Sequence, residues 1–559
     1  MPKVNLNEIR ERELAKQKAF KARLFVCAST GCIASGCKAV MAAVTSGLKG
    51  HGIEKEVQIV PTGCMGLCSH GPLIRVEVQG QAPVLYVEMD DMLARLMVAE
   101  HLEPAIKRPE AFSGVPDFLM SHTLSLETPF FTDQVKVVLA NSGNIVPESI
   151  DDYIADGGYQ ALERVFTSMT PEEVVKEILD SGLRGRGGGG FPTGRKWDLT
   201  AKVQGDEKFI ICNGDEGDPG AYMDRSILEG NPHAVIEGML IAGYAIGATS
   251  GWFYVRAEYP LAVERLDKAL KAARRYNLLG KDILGTGKNL DLDIRLGAGA
   301  FVCGEETALI ASIEGKRGSP TPRPPYPSIK GLWGKPSCVN NVETLANVPT
   351  IINRGGSWFA SMGTETSKGT KVFALTGKVN HSGLIEVPMG ISLRRIVESI
   401  GGGTATGKPV KAVQTGGPSG GVIPAKELDL PVCYEELKKL GSIMGSGGMI
   451  VMDEEDDMVD IAKFYLGFTV DESCGKCSPC RIGGKQLLTL LEKIADGKAV
   501  EEDLNDLRRL AVAMKKASLC GLGQTAPNPV LSTLHFFEDE YKARLTTKEA
   551  LKAEAEAGD

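Results

Sequence analysis

The chain has 559 residues, of which 43% are hydrophobic and 24% are charged. These are ordinary values for globular proteins, and we expect a chain of this length to divide into roughly three to five domains. The net charge of −8 argues against a nucleic-acid partner, because binding of nucleic-acid phosphates needs a concentrated basic face.

The first 22 residues predict an exposed or docking helix (residues 1–22). They mix basic side chains with Glu8, Glu11 and Glu13 and contain no apolar segment, unlike a secretory signal or a transit peptide. Thirteen cysteines without an export signal indicate a reducing, cytoplasmic location, where close-set thiols are more often metal ligands than disulfides.

Two cysteine pairs follow two predicted strands, at residues 23–26 and 57–60. The pairs have C-x4-C and C-x3-C spacing and consist of Cys27 and Cys32, and of Cys64 and Cys68. Together they can supply four thiolates, and their wide spacing favours an iron–sulfur cluster over zinc, which prefers C-x2-C. We interpret the nearby Cys37 as a small buried residue on the intervening helix.

This stretch resembles the thioredoxin-like [2Fe-2S] ferredoxin module of NADH dehydrogenases, through the two cysteine pairs and the turn Thr30-Gly31-Cys32. The resemblance implies a module spanning residues 23–100, in which the four cysteines hold a [2Fe-2S] cluster. Residues 101–129 contain four prolines and no clear periodicity, which predicts a linker.

A basic, glycine-rich loop runs from Gly182 to Trp197, after a predicted helix that begins at Pro171 with Thr170 as its N-cap. Glycine can adopt positive φ and lets backbone N–H groups approach an anion. Four basic side chains add positive charge to the loop, namely Arg184, Arg186, Arg195 and Lys196. The loop therefore predicts a phosphate site, and a plain surface loop is the alternative.

Three further loops carry carboxylates or amides after predicted strands. They are Asn213–Gly220, which follows the strand Phe209–Cys212, then Gly297–Thr307 and Val339–Thr344. Ligands of open α/β sheets bind at the carboxyl ends of strands, and carboxylates accept hydrogen bonds from hydroxyls or ring N–H groups. With the basic loop, they predict a nucleotide or flavin site. The alternative is three unrelated solvated turns.

The most apolar stretch, Ala234 to Val255, is interrupted by Glu237 and by four glycines. It therefore predicts a buried helix followed by a strand rather than a membrane span. We expect no direct membrane insertion.

The four loops resemble those of the NADH-binding flavoprotein subunit of respiratory complex I and its soluble relatives, over residues 130 to 534. The resemblance implies a multidomain α/β protein with a Rossmann-like FMN- and NAD(P)H-binding domain at 130–365. The FMN contacts that it implies are Gly185, Gly187, Lys196, Asn213, Asp215, Glu216, Gly217, Phe301, Gly304, Glu305, Glu306, Asn340, Asn341 and Thr344. The NAD(P)H contacts that it implies are Phe191, Asp218 and Tyr326, with Glu306 and Asp218 positioning the nicotinamide.

Three positions depart from the pattern of the respiratory subunits. Asp218 stands where they often carry Glu, Leu199 where they carry an aromatic residue, and Phe301 where they carry Tyr. The choice between NAD and NADP therefore stays open.

Residues 366–452 resemble the β-grasp domain of the same family, through the short strands between Lys371 and Ile400. The glycine run Gly416–Gly421 could form another phosphate loop, but we interpret it as tight turns of that domain. The acidic run Asp453–Asp457 predicts a solvated turn.

The C-terminal region contains C-x2-C-x2-C followed by a distant fourth cysteine, namely Cys474, Cys477 and Cys480, then Cys520. Three thiolates on one turn can bind one face of a cubane, and the fourth closes it. The dipole of the predicted helix Arg481–Ala495 favours thiolate at Cys480, and zinc is the alternative. The resemblance implies a [4Fe-4S] cluster in a four-helix domain at 453–545, followed by a tail at 546–559.

A hydride donor delivers two electrons together, whereas iron–sulfur clusters accept one at a time, and a flavin connects the two processes. We therefore expect no protein nucleophile and an NAD(P)H:acceptor oxidoreductase (diaphorase). The fused [2Fe-2S] module resembles the diaphorase β subunits of soluble NAD(P)-linked hydrogenases and formate dehydrogenases. This implies a hetero-oligomer with a catalytic α subunit of either type and a small [2Fe-2S] γ subunit.

No hydrogenase or molybdopterin motif is visible, so a partner is expected to handle the terminal substrate. No second ferredoxin domain is visible at the C-terminus, which favours a formate dehydrogenase or simple hydrogenase over an electron-bifurcating complex. Two alternatives remain, namely the flavoprotein subunit of respiratory complex I and a non-catalytic cluster-binding assembly subunit.

Overall fold

The computed structural model describes residues 4–550. Within these residues the chain forms three five-stranded sheets and a C-terminal helical region. Each sheet belongs to a continuous stretch of chain, and the helical region follows the third sheet.

The first sheet has the order β2-β1-β3-β4-β5, with β2 parallel to β1 and the other neighbours antiparallel. The first region contains α1 (Leu6–Lys18), β1 (Ala22–Cys27), α2 (Thr30–Ala34), α3 (Cys37–Gly50), β2 (Val57–Thr62), β3 (Ile74–Val78), β4 (Val84–Tyr86), α4 (Asp91–Leu96), α5 (Glu103–Lys107), α6 (Asp117–Met120) and β5 (Thr123–Leu124). Both strands predicted to precede the cysteine pairs are present, as β1 and β2.

The N-terminal helix α1 docks on the second region rather than projecting into solvent. Leu6 and Ile9 are buried in the core of that region, and Arg12 pairs with Asp151 at 3.3 Å. The docking alternative for this helix is therefore the correct one, while residues 1–3 lie outside the described residues.

The prediction of an irregular linker at 101–129 is wrong. The segment contains α5, α6 and β5, and β5 extends the first sheet by pairing with β4. Leu102, Ile106 and Leu119 are buried in the hydrophobic core of the first region. These elements are too short to be stable by themselves, so packing on the sheet stabilises them. Short elements also leave little room for a periodic pattern, which is why the sequence did not reveal them.

The second sheet has the order β10-β6-β7-β9-β8, in which the first four strands are parallel and β8 is antiparallel. This region contains α7 (Pro129–Thr132), α8 (Ile150–Ala155), α9 (Gln160–Ser168), α10 (Pro171–Asp180), α11 (Thr193–Ala201), β6 (Phe209–Gly214), α12 (Met223–Gly230), α13 (Pro232–Ile246), β7 (Ser250–Arg256), α14 (Pro260–Arg275), β8 (Gly280–Ile283), β9 (Lys288–Gly297), α15 (Glu306–Ile313), α16 (Pro327–Lys330), β10 (Ser337–Asn341), α17 (Val342–Arg354) and α18 (Gly356–Ala360).

The apolar stretch 234–255 forms the buried helix α13 and the strand β7, as predicted. Glu237 is buried beneath the Tyr153 hydroxyl, which donates to it at 2.6 Å. In the described part of the chain, no helix combines the length and the apolar character needed to cross a bilayer.

The parallel strands β6, β9 and β10 end at the same edge of the second sheet. The three loops with carboxylates and amides all begin at this edge. The parallel topology is therefore what brings together loops that are far apart in sequence.

The third sheet has the order β12-β11-β15-β13-β14, with β11 parallel to β15 and the remaining pairs antiparallel. Its elements are β11 (Thr370–Gly377), β12 (Gly383–Pro388), β13 (Val410–Thr415), β14 (Gly421–Pro424), α19 (Tyr434–Lys439) and β15 (Gly448–Asp453). The helical region contains α20 (Met458–Asp471), α21 (Ser478–Ala495), α22 (Glu501–Ala517), α23 (Gly521–Thr525), α24 (Asn528–Phe536) and α25 (Glu538–Lys542).

The acidic run Asp453–Asp457 is a solvated turn only at Glu454 and Glu455, which are exposed. Asp453 is fully buried, ends β15, and accepts hydrogen bonds from Lys378 and Thr406, each at 2.7 Å. Asp457 is the N-cap of α20. These partners lie elsewhere in the chain, so the local charge pattern could not reveal them.

The first region lies directly against the second at Gly63. A Cβ atom on Gly63 would lie 2.3 Å from the Cα of Gly230, and that contact is with backbone. We expect Gly63→Ala to destabilise the docked first region by about 1–3 kcal/mol, because overpacked backbone must shift. Hydrogen exchange of α2 and of the loop after β2 would measure this loss.

The matched control is Gly50→Ala, because a Cβ at that position meets open space. Equal exchange rates in both variants would contradict the close docking of the two regions.

Candidate functional site

A cleft of about 960 Å³ lies between the edge of the second sheet, the third sheet and the helical region. Ten of the predicted FMN and NAD(P)H contacts line this cleft, namely Gly187, Asn213, Asp215, Glu216, Gly217, Asp218, Phe301, Gly304, Glu305 and Asn341. The cleft is therefore built from all four predicted loops or their immediate ends.

The other seven predicted contacts do not line it, namely Gly185, Phe191, Lys196, Glu306, Tyr326, Asn340 and Thr344. Phe191 and Tyr326 are 46% and 53% exposed. Lys196 donates to the Val339 carbonyl at 3.1 Å and pairs with Glu306 at 3.5 Å.

Three of those seven support the cleft from behind. The Gly185 carbonyl accepts a hydrogen bond from the Tyr434 hydroxyl at 2.8 Å. The Asn340 side chain accepts one from the Trp197 indole at 2.9 Å. The Thr344 hydroxyl accepts one from the Arg186 backbone N–H at 2.8 Å.

The glycine-rich loop approaches α17 very closely. A Cβ on Gly187 would lie 2.9 Å from the Cβ of Asn341, and Gly188 and Gly190 have φ of +125° and +61°. A side chain at Gly187 would therefore push the loop away from Asn341, which caps α17 by accepting from the Thr344 N–H.

Two of the four basic residues in this loop are already neutralised or buried by the protein. Arg186 is fully buried and donates to the Thr370 and Lys368 carbonyls at 3.0 and 2.6 Å. Arg184 pairs with Glu435 at 2.5 Å. The donors of both guanidinium groups are thus engaged by backbone carbonyls or a carboxylate in the present conformation.

Asp215 lies at the base of the cleft with its side chain fully buried. Within the described residues, neither carboxylate oxygen has a hydrogen-bond partner, and the nearest cation, Arg256, is 3.6 Å away. Burial raises the pKa of Asp215 to about 7. An unsatisfied carboxylate in a cleft is suited to accept hydrogen bonds from a ligand.

The neighbouring carboxylates are engaged by the protein. Glu216 accepts from the Asp224 and Arg225 N–H groups at 3.2 and 3.1 Å, which caps α12, while burial raises its pKa to about 7. Glu305 caps α15. Asp218 accepts from the Ser446 hydroxyl at 2.5 Å, and burial raises its pKa to about 6.

Several lining residues were missed by the sequence reasoning. Asp224 accepts from the Asn341 amide at 2.5 Å, and the loop Gly441–Ser446 closes the side of the cleft that faces the third sheet. The run at Gly416 was noticed but interpreted only as turns. It does turn, with φ of +75° at Gly416, and it also lines the cleft.

A buried ion pair supports the missed loop. The ammonium of Lys371 contacts the Glu343 carboxylate and donates to the Ser446 carbonyl at 2.6 Å. Both charged side chains are buried. Lys371 on β11 thus connects α17 of the second region to the residue that donates to Asp218.

The four C-terminal cysteines converge as predicted on one small pocket, with Cys477 and Cys520 at the N-caps of α21 and α23. Their loop is held by Arg317, which donates to the Cys474 carbonyl at 2.9 Å. Val302 and Leu522 line both this pocket and the large cleft. A single layer of side chains therefore separates the two sites.

The four N-terminal cysteines also converge, around a cavity of about 260 Å³. The sulfur atoms of Cys64 and Cys68 are 3.5 Å apart. Cys37 is buried on α3 and does not line the cavity, as interpreted from the sequence. Among residues 4–550, no three His, Cys, Asp or Glu side chains surround a single-ion position.

Comparisons with known proteins agree with this geometry. Residues 178–350 match the family model of the Nuo51 FMN-binding domain, and residues 460–544 match that of the NADH-ubiquinone oxidoreductase-F iron-sulfur binding region. The chain is 58% identical over 415 residues to NADP-reducing hydrogenase subunit HndC of Solidesulfovibrio fructosivorans, covering 74% of this chain and 84% of that subunit. The chain belongs to the family of NADH-binding flavoprotein subunits.

Two further similarities fit this assignment. An NADH-quinone oxidoreductase subunit of Escherichia coli is 39% identical over 399 residues, with 71% of this chain and 90% of that protein covered. A crystal structure of an NAD+-reducing [NiFe]-hydrogenase in the H2-reduced state aligns with a TM-score of 0.67 and 30% identity, covering 99% of this chain and 93% of that one.

The residues of the cleft fit an FMN group. The cleft has the volume of a cofactor site, the glycine-rich loop has no Cβ in its way, and Asp215 has two oxygens free to accept hydrogen bonds within the described structure. The C-terminal pocket has the thiol set that a [4Fe-4S] cluster requires.

Removing the buried charge of Asp215 should stabilise the flavin-free chain. Its pKa rises from 3.8 to about 7 on folding. The folded state is therefore favoured at low pH, where the group is protonated, and this advantage is lost as pH rises through about 7 and the buried carboxylate ionises. We expect the free energy of unfolding of flavin-free Asp215→Asn to exceed that of the flavin-free wild-type chain by about 2–4 kcal/mol at about pH 8, and by less at about pH 5. Urea unfolding at both pH values would measure the difference.

In the same variant we expect weaker FMN binding, because an amide places a donor where the carboxylate offered only acceptors. A variant that is less stable than wild type at the higher pH would contradict the assignment of an unsatisfied buried charge.

Breaking the Lys371–Glu343 pair should be strongly destabilising. In Lys371→Met the Glu343 charge stays buried without its partner, which costs about 3–5 kcal/mol. Chemical unfolding would measure this, and Lys371→Met combined with Glu343→Gln is the matched control. If the double variant were as unstable as the single one, an unpaired charge would not be the cause.

Proposed function

We propose that this chain is the NAD(P)H-oxidising flavoprotein subunit of a hydrogenase complex, in which electrons pass between NAD(P)(H), FMN and iron–sulfur clusters in either direction. The chain's membership of the flavoprotein family makes it a flavin-dependent NAD(P)H dehydrogenase. The single observation that carries the proposal is the shared wall of Val302 and Leu522 between the cleft and the four-cysteine pocket.

This wall matters because the two sites handle different numbers of electrons. FMN, when bound, accepts a hydride and releases its two electrons one at a time. Both separating side chains are apolar, and Val302 is buried. A [4Fe-4S] cluster held by Cys474, Cys477, Cys480 and Cys520 would lie one layer of side chains from a flavin in the cleft and could accept electrons from it one at a time.

The protein residues bind and orient rather than react. We propose that Asp215 accepts hydrogen bonds from the flavin and that the backbone at Gly187, which lines the cleft, contacts its phosphate. Gly185 lies behind this position, where its N–H donates to the Phe191 carbonyl at 2.9 Å. Asp218, held by the Ser446 hydroxyl at 2.5 Å, is placed to orient the nicotinamide. We propose the same role for Glu306, although Lys196 and Arg323 pair with it in the present conformation.

We propose that the N-terminal thiols hold a [2Fe-2S] cluster. In support, the four cysteines share one cavity, and Tyr222 also lines it. Tyr222 belongs to the segment between Asp218 and Asp224, both of which line the cleft. One loop therefore contacts both sites.

The sheet orders support three finer assignments. We propose that the first sheet belongs to a thioredoxin-like module, the second to a Rossmann-like domain and the third to a β-grasp domain. We also propose the predicted partners, a catalytic α subunit and a small [2Fe-2S] γ subunit, and a cytoplasmic location. The relatives named above favour a hydrogenase over a formate dehydrogenase as the partner, and bifurcation is not part of this proposal.

The alternative role as a complex I subunit is less well supported. The structural alignment to a hydrogenase chain covers 99% of this chain, whereas the sequence alignments cover 74% of it for the HndC subunit and 71% for the Escherichia coli protein. The N-terminal region with its four thiols thus has a counterpart within a single hydrogenase chain.

The variant Cys520→Ser separates the two electron-transfer steps. We expect NAD(P)H to bleach the flavin absorbance of this variant as in wild type, because the cleft is intact. Loss of one thiolate should remove the electron paramagnetic resonance signal of the C-terminal cluster and reduce electron delivery to the partner by at least about tenfold. Anaerobic absorbance and resonance spectra would measure the two effects.

The control is Cys433→Ala, because Cys433 is buried at the start of α19 and lines neither thiol site. Flavin that is not bleached by either NADH or NADPH in the wild-type chain would favour the non-catalytic assembly role instead.

A further inference from the structure

The cleft contains a pair of lysines that the functions proposed above do not use. Lys438 lies in the last turn of α19 and Lys515 in the last turn of α22, and both line the cleft. They belong to different regions of the chain, so the fold, rather than local sequence, brings them together.

No carboxylate neutralises this pair within residues 4–550. Neither lysine forms a salt bridge there, and the only side-chain partner of Lys515 is the neutral Asn528, whose amide oxygen is 2.7 Å from the ammonium. Burial lowers the pKa of Lys515, and the nearby Lys438 ammonium lowers it further. Two ammonium groups that face one cleft without a counter-charge attract anions.

Arg184 lines the same cleft but carries no spare charge, because Glu435 pairs with it at 2.5 Å. Arg184 thus has a carboxylate partner and, among the described residues, the two lysines do not, in a chain where acidic side chains outnumber basic ones and the net charge is −8. Glu435, one turn before Lys438 on α19, lines the same cleft but pairs with Arg184 rather than with either lysine.

The lysine pair lies close to the residue proposed to orient the nicotinamide. Lys515 contacts Asn528, whose amide donates to the Ser419 carbonyl at 2.8 Å. Gly417, in the same turn as Ser419, lies against Asp218, since a Cβ there would be 2.8 Å from the Asp218 carboxyl carbon. A ligand that reaches Asp218 with one end can therefore extend towards Lys438 and Lys515 with the other.

Helix stability alone does not account for the arrangement. Lysines in a last turn do interact favourably with the helix dipole. However, Lys439 and Lys516 occupy the same last turns and do not line the cleft, so the dipole does not require that Lys438 and Lys515 face it.

We propose that Lys438 and Lys515 bind a phosphate group of the incoming nicotinamide nucleotide, either its pyrophosphate or a 2′-phosphate. This rests on the proposed function, which brings a nucleotide to this cleft. Lysine is a common phosphate ligand because its ammonium is a compact charge with three donors. The pair would also raise the association rate of the anionic nucleotide at low ionic strength.

The test uses the full-length chain with its cofactors and two probes, adenosine 5′-diphosphate and adenosine 2′,5′-bisphosphate. We expect Lys438→Met combined with Lys515→Met to weaken calorimetric binding by about tenfold, or about 1.4 kcal/mol. Loss for both probes identifies the pyrophosphate as the bound group, and loss for the bisphosphate alone identifies the 2′-phosphate. The KM for NADH or NADPH should rise correspondingly with little change in kcat.

The matched control is Lys439→Met combined with Lys516→Met, which removes the same charge from the same two helix turns. Unchanged affinity of the double variant for both probes would overturn the proposal, as would equal losses in the control or no binding of either probe by wild type. Calorimetry does not depend on electron transfer. Flavin that NAD(P)H fails to bleach would therefore count against the proposed function, while the binding data would still decide the role of the lysines.

Discussion

The central constraint of this structure is a carboxylate that the protein buries and leaves without a hydrogen-bond partner. Asp215 could have been satisfied by the Arg256 guanidinium, but the two groups stay 3.6 Å apart without a hydrogen bond. Folding must therefore stabilise the surrounding loops enough to offset this unsatisfied group. The parallel strands β6, β9 and β10 supply that stability, since their buried cores fix the point at which each loop leaves the sheet.

The rest of the cleft wall depends on charges that the protein does satisfy. Glu216, Glu305 and Asn341 each cap a helix, so side chains that look like ligand contacts in sequence also hold the helices in place. The buried Lys371–Glu343 pair then connects the third sheet to the second. These capped helix ends and the buried ion pair therefore hold the wall of the cleft around Asp215 and the glycine-rich loop.

Sequence reasoning located the loops well because their signals are local. A strand followed by Asn213–Gly220, or three cysteines in one turn, can be recognised without knowledge of the fold. It failed where the partner is distant. Asp224 contacts Asn341, 117 positions away, and Ser446 contacts Asp218, 228 positions away. Lys371 reaches the site by pairing with Glu343 of the second region. Residues 101–129 were misjudged for the same reason, since their helices form by packing on the first sheet.

The arrangement also explains why both thiol sites sit on rigid supports. The rate of electron transfer falls steeply with the distance between donor and acceptor. A site on a mobile module would therefore transfer electrons at a varying rate. The C-terminal pocket shares Val302 and Leu522 with the cleft. The N-terminal thiols are fixed by Glu229, which accepts from the Ser29 hydroxyl at 2.9 Å and the Thr30 N–H at 3.0 Å while buried. Because Glu229 ends the helix that begins beside Tyr222, the loop that lines the cleft also sets the position of the N-terminal site.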